Sequence, residues 1–166
     1  MAHRPKLLDA FLAMGRAAND PDASTSPQLR NMVAYVASYA AGCQNCQAHT
    51  TSNAIRTQVE DAKIEAIWQY ESNPLFSDAE RAALRFAQCA ATVFNGATDA
   101  EFAEMRKYYS EAEIVEILYV VCYFVFLNRW NDSCATELEG DPVRFAEAKL
   151  GGAGWQAGKH AAAPDK

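Results

Sequence analysis

One stretch limits the folds open to this chain. From Ile117 to Leu127 it reads ILYVVCYFVFL, an unbroken apolar run. A helix that crosses a bilayer needs about 20 such residues, so this run is too short to span one. Ser110 and Glu113 form a capping box ahead of it, which sets the start of a helix. Such a helix, apolar nearly all round, has to be wrapped by others. The pattern predicts a long central helix from Glu111 to about Leu138, in an all-α bundle.

The remaining punctuation agrees with that class. Apolar residues at 7, 8, 11, 12 and 14 recur with helical period, and Pro5 suits the first turn of that helix. Asn19 to Pro27 is turn chemistry, and Ser26-Pro27 starts a second helix that reaches Ala41. Gly42 breaks it, and a third helix runs from about Cys43 to Thr57. A short amphipathic helix follows over Glu60 to Tyr70. Ser77 with Glu80 starts another, reaching about Phe94, and Thr98 caps one over Asp99 to Tyr109. Asp141-Pro142 begins a last short helix to Leu150. No period-two strand and no internal repeat is present. The reading is one helical domain of seven or eight helices over residues 1–150. A Gly-rich tail follows over 151–166, expected to be loosely ordered, with Trp155 as its anchor.

Net charge is −6 over 166 residues. That argues against nucleic acid and anionic membrane surfaces as partners. Five cysteines, only two of them close together, do not form a secreted disulfide framework. Asp9 interrupts the apolar stretch near the N-terminus and no small-residue cleavage site follows, so a signal peptide is not expected. The chain reads as cytoplasmic.

The chemistry concentrates in GCQNCQAHT, Gly42 to Thr50. Cys43, Cys46 and His49 are spaced three and three. Gly42 lets the chain turn, which places both thiols in the first turn of a helix, where free N–H groups and the dipole favour a thiolate. His49 lies one turn beyond Cys46, close enough to exchange a proton with it. No Asp or Glu occurs from Ala23 to Val59, and Arg30 and Arg56 are the only formal charges there. Two thiols so placed suit reversible disulfide chemistry, one attacking and the other resolving. The plainer alternative is a pair of small buried hydrophobes. Zinc would find three ligands where a structural site takes four, and no second Cys pair exists, so no metal or other cofactor is expected. Cys89, Cys122 and Cys134 lie on apolar helical patterns and read as core thiols. Asn31, Tyr35, Tyr39 and Cys43, spaced by four, form a ridge that can line the approach to the sulfurs. Packing of both Tyr rings in the core is the alternative.

With these residues the chain resembles the carboxymuconolactone decarboxylase superfamily, in its alkyl hydroperoxidase D-like branch. The Gly-Cys-x-x-Cys segment with its His carries the likeness. So do DAERAALRFAQCAATVF and the later FLNRWND, over about Leu29 to Glu139. The resemblance implies an all-α fold assembled as a trimer or hexamer, with the dithiol near a subunit interface. It implies a thiol-dependent peroxidase that reduces organic hydroperoxides. Cys46 would attack, Cys43 would resolve, His49 would serve the proton relay, and a lipoyl-bearing or other dithiol protein would supply electrons. Asn31 stands where the peroxidases have their relay acid, and Glu65 is a candidate substitute. His49 falls three residues after Cys46, where four is usual. Two other roles fit the same fold: a non-catalytic redox sensor or stress-linked binding protein, and a lactone decarboxylase using His49 as base.

Overall fold

A computed structural model describes residues 1 and 3–162. The fold is all-α: eight α-helices and three short 3-10 turns, with no strand among the described residues. Helix α1 (Pro5–Ala18) has Pro5 in its first turn. The loop after it is tied down by Glu116, whose carboxylate accepts from the Ser24 and Thr25 N–H groups at 2.8 and 2.7 Å. Helix α2 (Pro27–Ala40) starts at Ser26, whose hydroxyl accepts from the Leu29 N–H. Helix α3 (Gln44–Arg56) follows a three-residue break. Then come α4 (Asp61–Glu65) with a 3-10 turn (Ile67–Gln69), α5 (Asp78–Ala91), α6 (Asp99–Met105), α7 (Glu111–Cys134) and α8 (Gly140–Leu150). The expected capping boxes at Ser77–Glu80 and Ser110–Glu113 both form, and Thr98 pairs with Glu101 in a third. Each satisfies helix-start N–H groups that would otherwise lack partners.

The central element is α2 rather than α7. Helix α2 packs against α3, α5 and α7 at once. It can do so because Ala34, Ala37 and Ser38 are small and fully buried, letting three backbones approach. Around it lie Phe76, Leu84, Phe86, Met105 and Ile117, all sealed from solvent. Phe86 meets Phe102 edge to face, with ring centroids 4.9 Å apart. Truncating such a ring typically costs about 3–5 kcal/mol.

Helix α7 is buried along one side only. Val115, Cys122, Phe126 and Trp130 form an open stripe along the other. The apolar run therefore does not mark a helix wrapped on all sides within one chain. It also ends earlier than expected, where Ala135 takes a left-handed conformation (φ 46°). Two of the supposed core thiols are corrected by the same geometry: Cys122 and Cys134 are exposed, and Cys89 is half-buried. No helix among the described residues is long and apolar enough to cross a membrane.

The segment after α8 departs from expectation too. It folds into 3-10 turns at Gly151–Ala153 and Gly158–His160 and packs onto the bundle. Trp155 and Ala157 lie against the core, and His160 is completely buried. The last four residues of the tail, 163–166, lie outside the described residues.

Candidate active site

The break between α2 and α3 builds the site. Gly42 takes φ 75°, a left-handed backbone that side chains disfavour. Space is not the reason for glycine there, since nothing lies within 4 Å of a Cβ at that position. The turn makes Cys43 the N-cap of α3. Its sulfur accepts from the Cys46 N–H at 3.4 Å, in the place a serine oxygen usually takes.

Both sulfurs are buried, Cys43 at 0% exposure and Cys46 at 2%. The neighbouring Cys46 side chain, with help from the N–H groups of Cys46 and Asn45, holds the Cys43 thiol below its ordinary range, against the opposing effect of burial. Cys46 is pushed up, first by the neighbouring Cys43 side chain and then by burial. The resemblance put the ionised sulfur at Cys46. The geometry favours Cys43, because only the N-cap sulfur collects N–H donors from the helix start.

The wall behind the thiols comes from the end of α7. Asn131 Nδ2 lies 3.4 Å from Cys46 Sγ, and its Oδ1 accepts from the Thr136 hydroxyl at 3.1 Å. The Thr136 carbonyl accepts from Asn45 Nδ2 at 3.0 Å and from His160 Nδ1 at 2.8 Å. A carbonyl only accepts, so Nδ1 of His160 carries the proton and Nε2 the lone pair. That Nε2 lies 3.7 Å from Asp132 Oδ1 and has no hydrogen-bond partner. Asp132 pairs with Lys159 at 2.8 Å, which holds its carboxyl below the usual range.

The other expected residues fall in three places. His49 is half-buried, and burial pushes its imidazole down, toward the neutral form. Among the described residues it makes no hydrogen bond with either thiol. Tyr35 and Tyr39 pack against Trp68 with tilted rings and help line a cavity of about 410 Å³ that reaches Gly42, Gln44 and Gln47. Asn31 is instead a tie between helices: its Nδ2 donates to the Pro27 carbonyl and to Thr57 Oγ1, both at 3.0 Å. Glu65 binds Lys149 on α8 at 3.0 Å. Residue-by-residue reading missed Asn45, Asn131, Asp132 and His160. The available signal was the sudden polarity of Asn128, Arg129, Asn131 and Asp132 straight after the apolar run. Among the described residues no group of three or more His, Cys, Asp or Glu is placed to hold a metal ion.

Two thiols within one helical turn make a two-electron donor. It can give its electrons to an electrophile and close a disulfide within one helical turn.

Residues 5–88 match the carboxymuconolactone decarboxylase family. No curated protein matches the chain. Among solved structures, the apo debrominase Bmp8 is 31% identical, over 86% of this chain and 76% of that one, with a TM-score of 0.80. A cysteine-to-alanine variant of Bmp8, in complex with 2,3,4-tribromopyrrole, is 30% identical over 89% and 79%, with a TM-score of 0.83. The alkylhydroperoxidase AhpD core of a peroxidase-related protein from Ralstonia eutropha JMP134 shares the fold at 21% identity, over 80% and 70%, with a TM-score of 0.70. A protein of unknown function from Agrobacterium tumefaciens does so at 18%, over 84% and 94%, with a TM-score of 0.76. The family match, the helical fold and the Gly-Cys-x-x-Cys turn agree, and the chain belongs to the carboxymuconolactone decarboxylase family, with the fold also found in AhpD-like structures.

Proposed function

We propose that this protein is a dithiol-dependent reductase of organic hydroperoxides. The observation that carries the reading is the placing of two buried thiols within one helical turn, with the Cys43 sulfur as N-cap accepting from the Cys46 N–H at 3.4 Å. The Cys43 thiolate attacks the terminal peroxide oxygen. An S–O bond forms, the O–O bond breaks, and the alkoxide leaves as the alcohol after taking a proton. The Cys46 thiol then displaces the sulfenic hydroxyl as water and closes the disulfide. In sum, a dithiol and ROOH give a disulfide, ROH and water. His49, whose imidazole burial pushes down, is the proton carrier one turn beyond Cys46. A dithiol reductant, such as a lipoyl-bearing protein, returns both thiols by exchange.

The test is hydroperoxide consumption with dihydrolipoamide, thioredoxin or glutathione as electron source. Sustained turnover is expected with at least one donor, and Cys43→Ser and Cys46→Ser should each abolish it. Wild-type consumption in either variant would overturn the reading. Oxidation to the disulfide without turnover would leave a redox sensor. A lactone decarboxylase using His49 would keep its activity in the absence of both thiols.

A second reading is favoured by the 30–31% identity with Bmp8. The same dithiol can reduce an aryl bromide, giving Ar–H, HBr and the disulfide. Bromide release from 2,3,4-tribromopyrrole, measured beside hydroperoxide consumption, separates the two substrates.

A further inference from the structure

A second cavity, of about 190 Å³, lies between the end of α2, the end of α5 and the last turns of α7. Val93 and Val125 give it apolar walls, and Asn128, Arg129 and Asp132 line its α7 side. Asn128 is only 2% exposed. Its Nδ2 donates to the Ala37 carbonyl at 3.3 Å, which fixes the orientation of the amide, and its Oδ1 has no hydrogen-bond partner. A buried acceptor left without a donor is uncommon and calls for an explanation. Thr92, also in the wall, does not supply one, because its hydroxyl lies against the Cys89 and Phe94 carbonyls at 2.8 and 2.7 Å.

The same face of α7 serves the thiols. Asn128, Asn131 and Asp132 are spaced three and four apart, so they share one side of the helix. Asn131 contacts Cys46 Sγ, and Asn128 stands three residues, about 4.5 Å along the helix, before it. A molecule held on Asn128 is therefore within one turn of the group that touches the sulfur. By contrast, no residue lining the larger cavity beside Tyr39 donates a side-chain hydrogen bond to either sulfur among the described residues.

We propose that the Asn128 cavity is the substrate pocket of the dithiol, and that it takes a small apolar molecule with one hydrogen-bond donor aimed at Asn128 Oδ1. A cavity of about 150 Å³ holds benzene, so this one admits a branched alkyl group or a single substituted ring. The donor requirement fits the O–H of a hydroperoxide and the N–H of a pyrrole alike. The word substrate rests on the dithiol reading above, whereas occupancy of the pocket does not.

The test is therefore binding without turnover. The Cys43→Ser/Cys46→Ser double variant is titrated with tert-butanol and with tert-butyl methyl ether, then with pyrrole and with N-methylpyrrole. Chemical shifts of the Asn128 side-chain amide and of the Thr92 and Val93 backbone amides are followed by NMR. Saturable shifts are expected with the alcohol and with pyrrole, at least tenfold weaker with the ether and the N-methyl ring. Asn128→Leu should abolish the difference between each pair. Val93→Trp is placed at a position 80% exposed, where the fold tolerates it, and should plug the mouth and remove all four responses. Equal binding within each pair, or shifts that map to Tyr39 and Trp68, would overturn the proposal. Specific binding alongside a wild-type protein that never turns over would sink only the dithiol reading.

Discussion

Asn131 donates its carboxamide N–H to the sulfur of Cys46 at 3.4 Å, and the Thr136 hydroxyl holds the other end of the amide in place. The dithiol on α3 is therefore completed from α7, 85 residues later in the chain. A neutral donor at this point stabilises charge on the sulfur pair without adding a negative neighbour. Asn131→Asp reverses that. Its carboxylate should raise the thiol pKa values by about one unit, slowing alkylation of the reduced protein at pH 7 about tenfold. Iodoacetamide kinetics followed by mass spectrometry provide the check, and an unchanged rate would mean that Asn131 has no electrostatic hold on the pair.

The order of the two sulfurs is open to direct measurement. In a background with Cys89, Cys122 and Cys134 changed to Ser, Cys43 should be the residue alkylated first. Its pH profile should have a midpoint below the ordinary thiol value of about 8.5. A lowered folded pKa means that the thiolate's stabilising contribution is fully present above the unfolded thiol pKa. It is lost as pH falls through the lower folded value. The unfolding free energy of the reduced protein should therefore decline on acidification across that window, relative to Cys43→Ser. Labelling of Cys46 ahead of Cys43 would restore the order implied by the family.

His49 is expected to act on protons and not on the resting thiolate, since it makes no hydrogen bond with either sulfur. His49→Gln should lower hydroperoxide turnover about 100-fold, in the range of general acid–base catalysis. Alkylation of Cys43 in the reduced protein should stay at the wild-type rate. A parallel fall in both would place His49 in thiolate formation instead.

His160 fastens the C-terminal segment over the motif, through the Thr136 carbonyl that Asn45 also uses. His160→Ala removes that bond and a fully buried ring. The expected loss is about 2–3 kcal/mol by thermal or urea unfolding. Reaction of the buried thiols with a bulky disulfide reagent should accelerate at the same time. If stability falls while thiol access is unchanged, the segment supports the fold without covering the site.

The open stripe on α7 bears on assembly. Val115, Cys122, Phe126 and Trp130 leave an apolar band uncovered within one chain, the kind of surface that oligomers close. Light scattering should find a homo-oligomer, with a trimer or hexamer as the family expectation. Phe126→Asp with Trp130→Asp should shift it toward monomer without a loss of helical signal. A wild-type monomer at working concentration would remove the proposal.

Much of the fold was legible because its signals are local. Ser26-Pro27, Ser77 with Glu80, Thr98, and Ser110 with Glu113 each act within one helical turn, and each marked a helix start that the structure keeps. Gly42 likewise announced the turn that makes Cys43 an N-cap. The misreadings share a cause. The continuous apolarity of Ile117–Leu127 does not say what covers each side of a helix, so the exposed Cys122 and Phe126 were assigned to the core. Glycine content made the tail look loose, whereas Trp155 and Ala157 pack on the core and the buried His160 ring fastens the segment.

By itself the sequence determined the helical class, most helix starts and the placing of two thiols at a helix N-terminus, because backbone hydrogen bonding and side-chain period are settled within a few residues. Only the tertiary structure decided which N–H donors reach each sulfur. It also brought Asn131 and the C-terminal segment to the site and left Asn128 facing a cavity. Those outcomes depend on burial and on hydrogen bonds between helices distant in the chain, and no local pattern encodes them.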